Sequence, residues 1–332
     1  MDPVLASLIE TATRAPSGHN TQPWSFSLAA DTIRIFPDFS RRLPVVDPDD
    51  HALYISLGCA LENLVIAAAH HGLATTVDAF PGDEAEPCLR VRVTPSAGGG
   101  ADPALYQAIA RRQTNRRRYR DRALAPGQVA RLLDAGARDG VELRSFDPAD
   151  PDSAPLLDLV AEASRAQFGD RAFVDELVSW IRFSRREAQA RGDGLGARAL
   201  GFPTLPRWLG RLVMTRLAGP GSEARRQVRL LRSAPLAIVF IARRHDPAGW
   251  VALGRAFQRT ALAATSMAIA HGHVNMPCEV PSVRRKLASW LGLDPAWQPL
   301  LLVRFGHADP MPASSRRRLE EVMRPAAGVE PA

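Results

Sequence analysis

Two stretches of this chain lie over one another without a gap when one is shifted by 196 positions. Tyr54 falls on Trp250, Leu57-Gly58 on Leu253-Gly254, Ala60 on Ala256 and Ala67-Ala68 on Ala263-Ala264. The first stretch, His51 to His71, carries Leu53, Leu57, Leu61, Leu64, Val65 and Ala68 as a helical stripe and ends at Gly72, as an amphipathic helix closed by glycine does. The second runs from Trp250 to Ala270. A repeated long helix points to two copies of a helix–helix–sheet unit, and 332 residues leave room for roughly two domain-sized units. The Gly/Pro/Ser-rich run Pro95 to Pro103 is the natural seam. The expected division is therefore a first half at 1–95, a linker at 96–103 and a second half at 104–332.

The remaining elements follow from periodicity and breakers. Helices are expected at Leu5–Arg14, Ala104–Arg112, Pro126–Ala137, Leu156–Phe168 and Val174–Arg186. Strands are expected near Ser25–Leu28, Ile33–Phe36, Val77–Phe80, Leu89–Val93, Val141–Phe146, Leu236–Ala242 and Leu300–Phe305. The stretch Gly192 to Gly221 is broken by glycine and proline, with apolar Phe202, Leu205, Trp208, Leu209, Leu212 and Val213 inside it. It reads either as a lid with glycine hinges or as a peripheral helical hairpin. Gly192-Asp193-Gly194-Leu195-Gly196 lacks the spacing and the strand–turn–helix setting of a dinucleotide loop.

The two halves differ where chemistry would sit. Helix Leu5–Arg14 matches Val129–Arg138, yet the first runs into Pro16-Ser17-Gly18-His19-Asn20 and the second into Asp139-Gly140-Val141. Conversely, Arg111-Arg112-Gln113-Thr114-Asn115-Arg116 precedes the second copy, and only Met1 to Val4 precede the first. Each half keeps what the other has lost, so the two loops make one site per chain if they meet between the halves. In the first loop, Pro16 stops the helix, Ser17 and Gly18 let backbone approach something flat, and Asn20 and Gln22 each offer a donor and an acceptor. Such a loop suits the edge of a polar heteroaromatic ring; the alternative is an ordinary turn with Asn satisfying its own backbone.

The formal charge is +7, and Lys286 is the single lysine among 42 basic residues. The rest are planar, permanently charged forks suited to phosphate. The densest run, Arg111 to Arg122, contains one aromatic, Tyr119, and lies between helical segments, which speaks against a nucleic-acid tail. No nucleic-acid partner is expected. Nor is a membrane, since no apolar run approaches the roughly 18 residues of a span. Met1-Asp2-Pro3-Val4 has no basic, signal-like start, and Cys59, Cys88 and Cys278 are too scattered for a disulfide framework. A cytoplasmic protein with reduced thiols is expected.

Ala15-Pro16-Ser17-Gly18-His19-Asn20-Thr21-Gln22-Pro23-Trp24 resembles the flavin-contacting loop of the FMN-dependent nitroreductase family. The text that follows, Ile33 to Asp38, Ser40 to Pro44, Asp47-Pro48 and Ile55 to Leu61, is similar to the Acg branch of that family. The resemblance implies an α+β, nitroreductase-like fold whose two degenerate halves are fused into a pseudo-dimer around one flavin site. It implies one non-covalent FMN per chain, NAD(P)H as reductant and a small-molecule electron acceptor, with the flavin carrying the chemistry and no catalytic acid or base in the protein.

By the same resemblance, Pro16, Ser17, Gly18, Asn20 and Gln22 meet the ring. The segment Arg112-Gln113-Thr114-Asn115-Arg116 serves phosphate and ring: Arg112 and Thr114 take the phosphate, Arg116 the N1–C2=O edge. Arg316, with Arg317 in reserve, closes on the phosphate, and Arg229 approaches the ring. Asn275-Met276-Pro277-Cys278-Glu279-Val280 supplies the Glu279 and Val280 amides to flavin N5. His271, His273 and Cys278 make a poor metal set, so no metal is expected, and Cys278 reads as a neutral thiol. If the Gly192–Gly221 stretch is a closed lid, the alternative is a protein that stores FMN without turnover.

Overall fold

The structure, a computed structural model, describes residues 2–83, 86, 88–96, 102–200, 204–217 and 219–324. Its first part runs α1 (Pro3–Thr13), β1 (Trp24–Ala29), β2 (Thr32–Pro37), α2 (His51–His70), β3 (Leu73–Ala79) and β4 (Leu89–Pro95). Then come α3 (Pro103–Arg111), α4 (Pro126–Gly136), β5 (Val141–Phe146), α5 (Ala154–Gly169), α6 (Arg171–Trp180), β6 (Ile181–Arg182), α7 (Arg185–Arg191), β7 (Leu195–Gly196), α8 (Arg207–Leu217) and α9 (Pro220–Arg232). The chain closes with β8 (Leu236–Ala242), α10 (Pro247–Ser266), β9 (Ala270–His273), α11 (Met276–Glu279), α12 (Pro281–Trp290), β10 (Gln298–Gly306) and α13 (Leu319–Val322). Residues 97–101 of the expected linker and Phe202 of the expected lid lie outside the described residues.

Two four-stranded antiparallel sheets form, β1-β2-β4-β3 and β5-β8-β10-β9. The first draws its strands from residues 24–95 and the second from 141–306. Between them lie α2 and α10, and one continuous apolar core joins both sheets to both helices. Helix α2 is long and apolar enough by composition to cross a membrane, but its apolar stretch is 83% buried inside the protein. The other face of β8 packs under α5, α9 and α12 through Val239, Ile241, Leu156, Leu231 and Leu287. Covered on both faces, β8 is a continuous apolar run, Leu-Ala-Ile-Val-Phe-Ile-Ala, rather than an alternating one.

The crossing of α2 and α10 is reciprocal. A Cβ on Gly58 would stand 2.2 Å from the Val251 carbonyl oxygen, and one on Gly254 would stand 2.1 Å from that of Ile55. These are equivalent contacts under the 196-residue shift, as in a two-fold interface where each side presents the same patch. The Cys59 thiol spans the crossing to the Gly254 carbonyl at 3.3 Å.

Several expectations need correcting. The helix expected over Val174–Arg186 breaks after Trp180. Arg182 turns inward to pair with Asp193, and Ile181–Arg182 pairs with Leu195–Gly196. A new helix starts behind Ser184, whose hydroxyl accepts from the Glu187 amide while the Glu187 carboxylate accepts from the Phe183 amide. That Ser-x-x-Glu start was legible in sequence. Helix α10 ends at Ser266, with Ala268 in the left-handed region at φ 55°, so Ala270 opens a strand instead. Helices α9 and α12, each led by proline, were not anticipated.

Candidate functional site

A cavity of about 600 Å³ lies where the two loops meet. The loop after α1 contributes Pro16, Ser17, Gly18 and His19, and α2 contributes Ala52, Ile55, Ser56 and Cys59. The segment after α3 contributes Thr114 and Arg116; Phe257, His273, Asn275 and Glu279 complete that side. One wall is apolar and comes from residues 168–214: Phe168, Phe173, Leu177, Ile181, Leu195, Leu200 and Met214. Arg226 and Arg229 of α9 stand at the edge. Of the residues expected at the site, Pro16, Ser17, Gly18, Thr114, Arg116, Arg229 and Glu279 are thus brought together.

Asn20 and Gln22 are not on that wall. The loop holds three non-glycine residues in the left-handed region, His19, Asn20 and Gln22, at φ 46°, 56° and 54°. Such backbone persists where surrounding contacts fix it. Here Ser17 Oγ accepts from the Gln22 amide at 2.9 Å. Asn20 Nδ2 donates to the Gly194 carbonyl at 3.0 Å and the Ser315 carbonyl at 3.2 Å, and Gln22 Nε2 donates to the Gly192 carbonyl at 2.8 Å. Gln22 Oε1 accepts from the Arg317 amide at 2.9 Å. The two amides therefore act as a clasp, tying residues 192–194 and 315–317 to the loop. Gly192 and Gly194, expected as hinges, are anchored. Asp193 between them is paired with Arg182 and Arg41, and both guanidiniums lie over the Trp180 ring, at 5.5 and 5.4 Å.

Arg316 and Arg317 also belong to this clasp rather than to the cavity. Arg316 spends its fork on the α1 terminus, donating to the carbonyls of Thr13 (2.8 Å), Arg14 (3.0 Å) and Ala15 (3.1 Å), and on Asn20 Oδ1 (3.1 Å) and the Ser315 carbonyl (3.0 Å). Carbonyls at a helix C-terminus favour a cation. Arg317 donates to the Gln22 and Glu321 carbonyls. Gln113 likewise turns away, accepting from the Ser314 amide at 3.2 Å.

Arg112 behaves differently. It is 3% exposed and makes one long bond, from Nη2 to the Arg14 carbonyl at 3.5 Å; its Nε and Nη1 have no partner. Among the described residues no carboxylate pairs with Arg112, Arg116 or Arg316. Burial, aided by Arg116, lowers the Arg112 guanidinium to about 10, and burial with Arg226 lowers Arg116 to about 10. Burial, then Arg112 and Arg14, lowers Arg316 to about 9. The same field keeps nearby histidines neutral: His19 is brought to about 4 by burial and Arg116, and His273 to about 3 by burial and both arginines. Desolvated cations without counter-ions are costly, and unmet guanidinium N–H groups suit a phosphate.

The Glu279 and Val280 amides, expected to face flavin N5, are already spent: they donate to the Asn275 and Met276 carbonyls at 3.1 and 3.0 Å, forming α11. Cys278 is fully buried in the second core, where burial raises its thiol well above the usual range. What faces the cavity there is the Glu279 side chain with Gln167 and Asn275. Beside it, His51 is held protonated: burial works against it, but bonds to Asp47 and Asp49 raise it to about 9.

A second hollow, of about 700 Å³, occupies the related position. It is lined by Ala248, Val251, Ala252 and Arg255 of α10, each 196 positions beyond Ala52, Ile55, Ser56 and Cys59 of the first. Asp134 and Ala135 at the end of α4, with Ala137, Arg138 and Asp139 just after it, form another side. Here a carboxylate is built in: Glu62, fully buried, pairs with Arg138 (3.2 Å), Arg255 (2.7 Å) and Arg259 (2.9 Å). The sequence reading missed Cys59, His19, the apolar wall and the Glu279 carboxyl. The shifted alignment already contained one signal, Cys59 against Arg255.

No protein-family model matches the chain. A Mycobacterium tuberculosis (strain H37Rv) protein named "Putative NAD(P)H nitroreductase" is 30% identical over 323 residues, covering 96% of this chain and 90% of that protein. The protein named acg from the same organism is 33% identical over 78 residues, 24% of each chain. Among solved structures, the FMN and NADPH-dependent nitroreductase NfnB from sphigopyxis sp. strain HMH overlays 66% of this chain and 97% of its own, at 17% identity and a TM-score of 0.42. Nitroreductase A from Vibrio parahaemolyticus overlays 65% of this chain and 73% of its own, at 14% identity and a TM-score of 0.39.

Proposed function

The chain belongs to the nitroreductase family, and from that premise we propose that it is an FMN-dependent oxidoreductase passing hydride from NAD(P)H to an electron-poor small molecule. The observation that carries the reading is Arg112: a buried guanidinium with two unmet N–H groups and, among the described residues, no carboxylate partner. It lies outside the cavity's lining but two residues before Thr114 and within the field of Arg116, both of which line it. When bound, FMN supplies hydride acceptance and donation. The chain's own residues bind and orient. Arg112 and the Thr114 hydroxyl take the phosphate. Pro16, Ser17 and Gly18 would form the wall against the ring; at Gly18 a Cβ would stand 3.1 Å from Leu43 Cδ1, a tight contact that Leu43 would have to relieve. Arg116 would meet the pyrimidine edge and supply positive charge there, and Arg229 also lines the cavity. The neutral His19 and His273 line the cavity without competing for the anion. One site per chain follows from two fused, unequal halves, 1–95 and 104–332, of which one hollow kept the loop.

A second reading, an FMN store without turnover, has its own support. The wall from residues 168–214 covers the cavity and is latched through Asp193 to Arg41. Anaerobic mixing of the FMN-loaded protein with NADH or NADPH separates the two. Rapid bleaching of the flavin absorbance is the expected outcome. If bleaching is slow in the intact protein and speeds up in Arg41→Ala, the latch governs access; if neither protein bleaches, the oxidoreductase reading fails.

A further inference from the structure

Among the described residues, three carboxylic acids line the cavity: Asp47, Glu223 and Glu279. Asp47 accepts from the Ala52 and Leu53 amides, both at 3.0 Å, and pairs with His51. Glu223 pairs with Arg226 and accepts from Gln227. Glu279 meets no cation. Its Oε2 accepts from Gln167 Nε2 at 2.7 Å and its Oε1 from Asn275 Nδ2 at 3.2 Å. Asn275 is itself fixed, because its Oδ1 accepts from the Leu302 amide at 2.9 Å. Glu279, the last residue of α11, reaches Gln167 of α5, keeps accessible surface and lines the cavity.

We infer that the Glu279 carboxyl is the proton store of this cavity: it rests protonated and gives its proton to the acceptor atom that has taken up hydride. This rests on the oxidoreductase reading above. The acceptor gains two electrons and one proton as hydride originating in NAD(P)H. The Glu279 O–H bond then breaks as the second acceptor–H bond forms, and the carboxylate left behind takes a proton from water. An acid that holds its proton more tightly than a free carboxyl and opens onto the cavity suits this task. Burial pushes Glu279 up from the usual carboxylate range; the Gln167 and Asn275 amides and the His51 charge pull it back, and Asp47 adds to the rise. The charged groups facing it are accounted for: His51 is bound by Asp47 and Asp49, and Arg284 of α12 contacts Asp49 at 3.4 Å.

Two measurements test the inference. The first is an infrared pH titration of the isolated protein with Glu279→Gln as reference. The expected result is a protonated-carboxyl band at neutral pH that the variant lacks and that Glu279→Asp retains in shifted form. The second uses FMN-loaded protein, pre-reduced and mixed with a neutral benzoquinone. The wild-type rate should fall as pH rises through the Glu279 titration, and Glu279→Gln should be at least about tenfold slower, lose that pH limb and be partly rescued by Glu279→Asp. Absence of the infrared band at neutral pH, or an unchanged rate and pH profile in Glu279→Gln, overturns the proton store. Failure to take up FMN overturns the oxidoreductase reading instead, and the infrared band still decides on Glu279.

Discussion

The two hollows beside the α2–α10 crossing are built from corresponding turns of a repeated helix, and they put arginine to opposite uses. In the first, Cys59 leaves room, the loop Pro16–His19 closes one side, half-buried Arg116 lines the cavity, and Arg112 is buried outside its lining, neither with a carboxylate partner among the described residues. In the second, Arg255 takes the position of Cys59, the loop is missing, and the Glu62 carboxylate is shared by three guanidiniums. Removing one partner of a buried charge pair is costly, and an unmet guanidinium suits an anion. On the proposed function, this difference is what would separate a flavin site from a counterpart that binds none, using residues that composition alone would count as equivalent.

The largest effect should come from the second hollow. Glu62→Gln leaves three arginines around a buried neutral side chain and should cost about 3–5 kcal/mol of stability, read as a lower denaturant midpoint, while the flavin content stays at one per chain. Loss of flavin with unchanged stability would break the distinction between the hollows. Next, Gly58→Val and Gly254→Val each drive a side chain into a facing carbonyl. Each should cost about 3 kcal/mol, and the two losses should match. A large loss at one glycine and none at the other would contradict the reciprocal crossing.

Smaller effects sharpen the first hollow. Arg112→Ala should weaken FMN binding by about 1.5–3 kcal/mol, roughly 10- to 100-fold in Kd by fluorescence titration, with little loss of fold because Arg112 makes one long hydrogen bond. Unaltered affinity would move the phosphate elsewhere. Smallest of all, Arg120→Ala removes an ion pair with Asp309 whose side chains are 66% and 63% exposed. It should change stability by at most about 1 kcal/mol and flavin affinity not at all.

Most of this frame could be read in the chain before any coordinates. The strands Val141–Phe146 and Leu236–Ala242 are where periodicity and apolar run-length put them, and α2 ends within a residue of its expected limit. The site was legible as a pair of loops but not as a set of contacts. Asn20 and Gln22 have side chains suited to a ring edge, yet the partners they meet, Gly192, Gly194 and Arg317, lie more than 170 residues away for Asn20 and up to 295 for Gln22. Nothing local announces such partners. The Glu279 and Val280 amides were lost to α11, a four-residue helix that begins at Met276-Pro277 and is too short for periodicity to reveal. Arg182 broke its helix because Asp193, eleven residues on, is buried beside it, which is again a tertiary fact.

The central claim is that one hollow binds flavin and its counterpart does not. Saturating the purified protein with FMN, removing the excess and quantifying acid-released flavin against protein tests it directly. The account predicts one FMN per chain in the wild type and a weakened or lost FMN in Arg112→Ala. Two per chain would show that the Glu62–arginine hollow is a working site, and none, after saturation, would show that the unpaired arginines of the first hollow do not serve FMN.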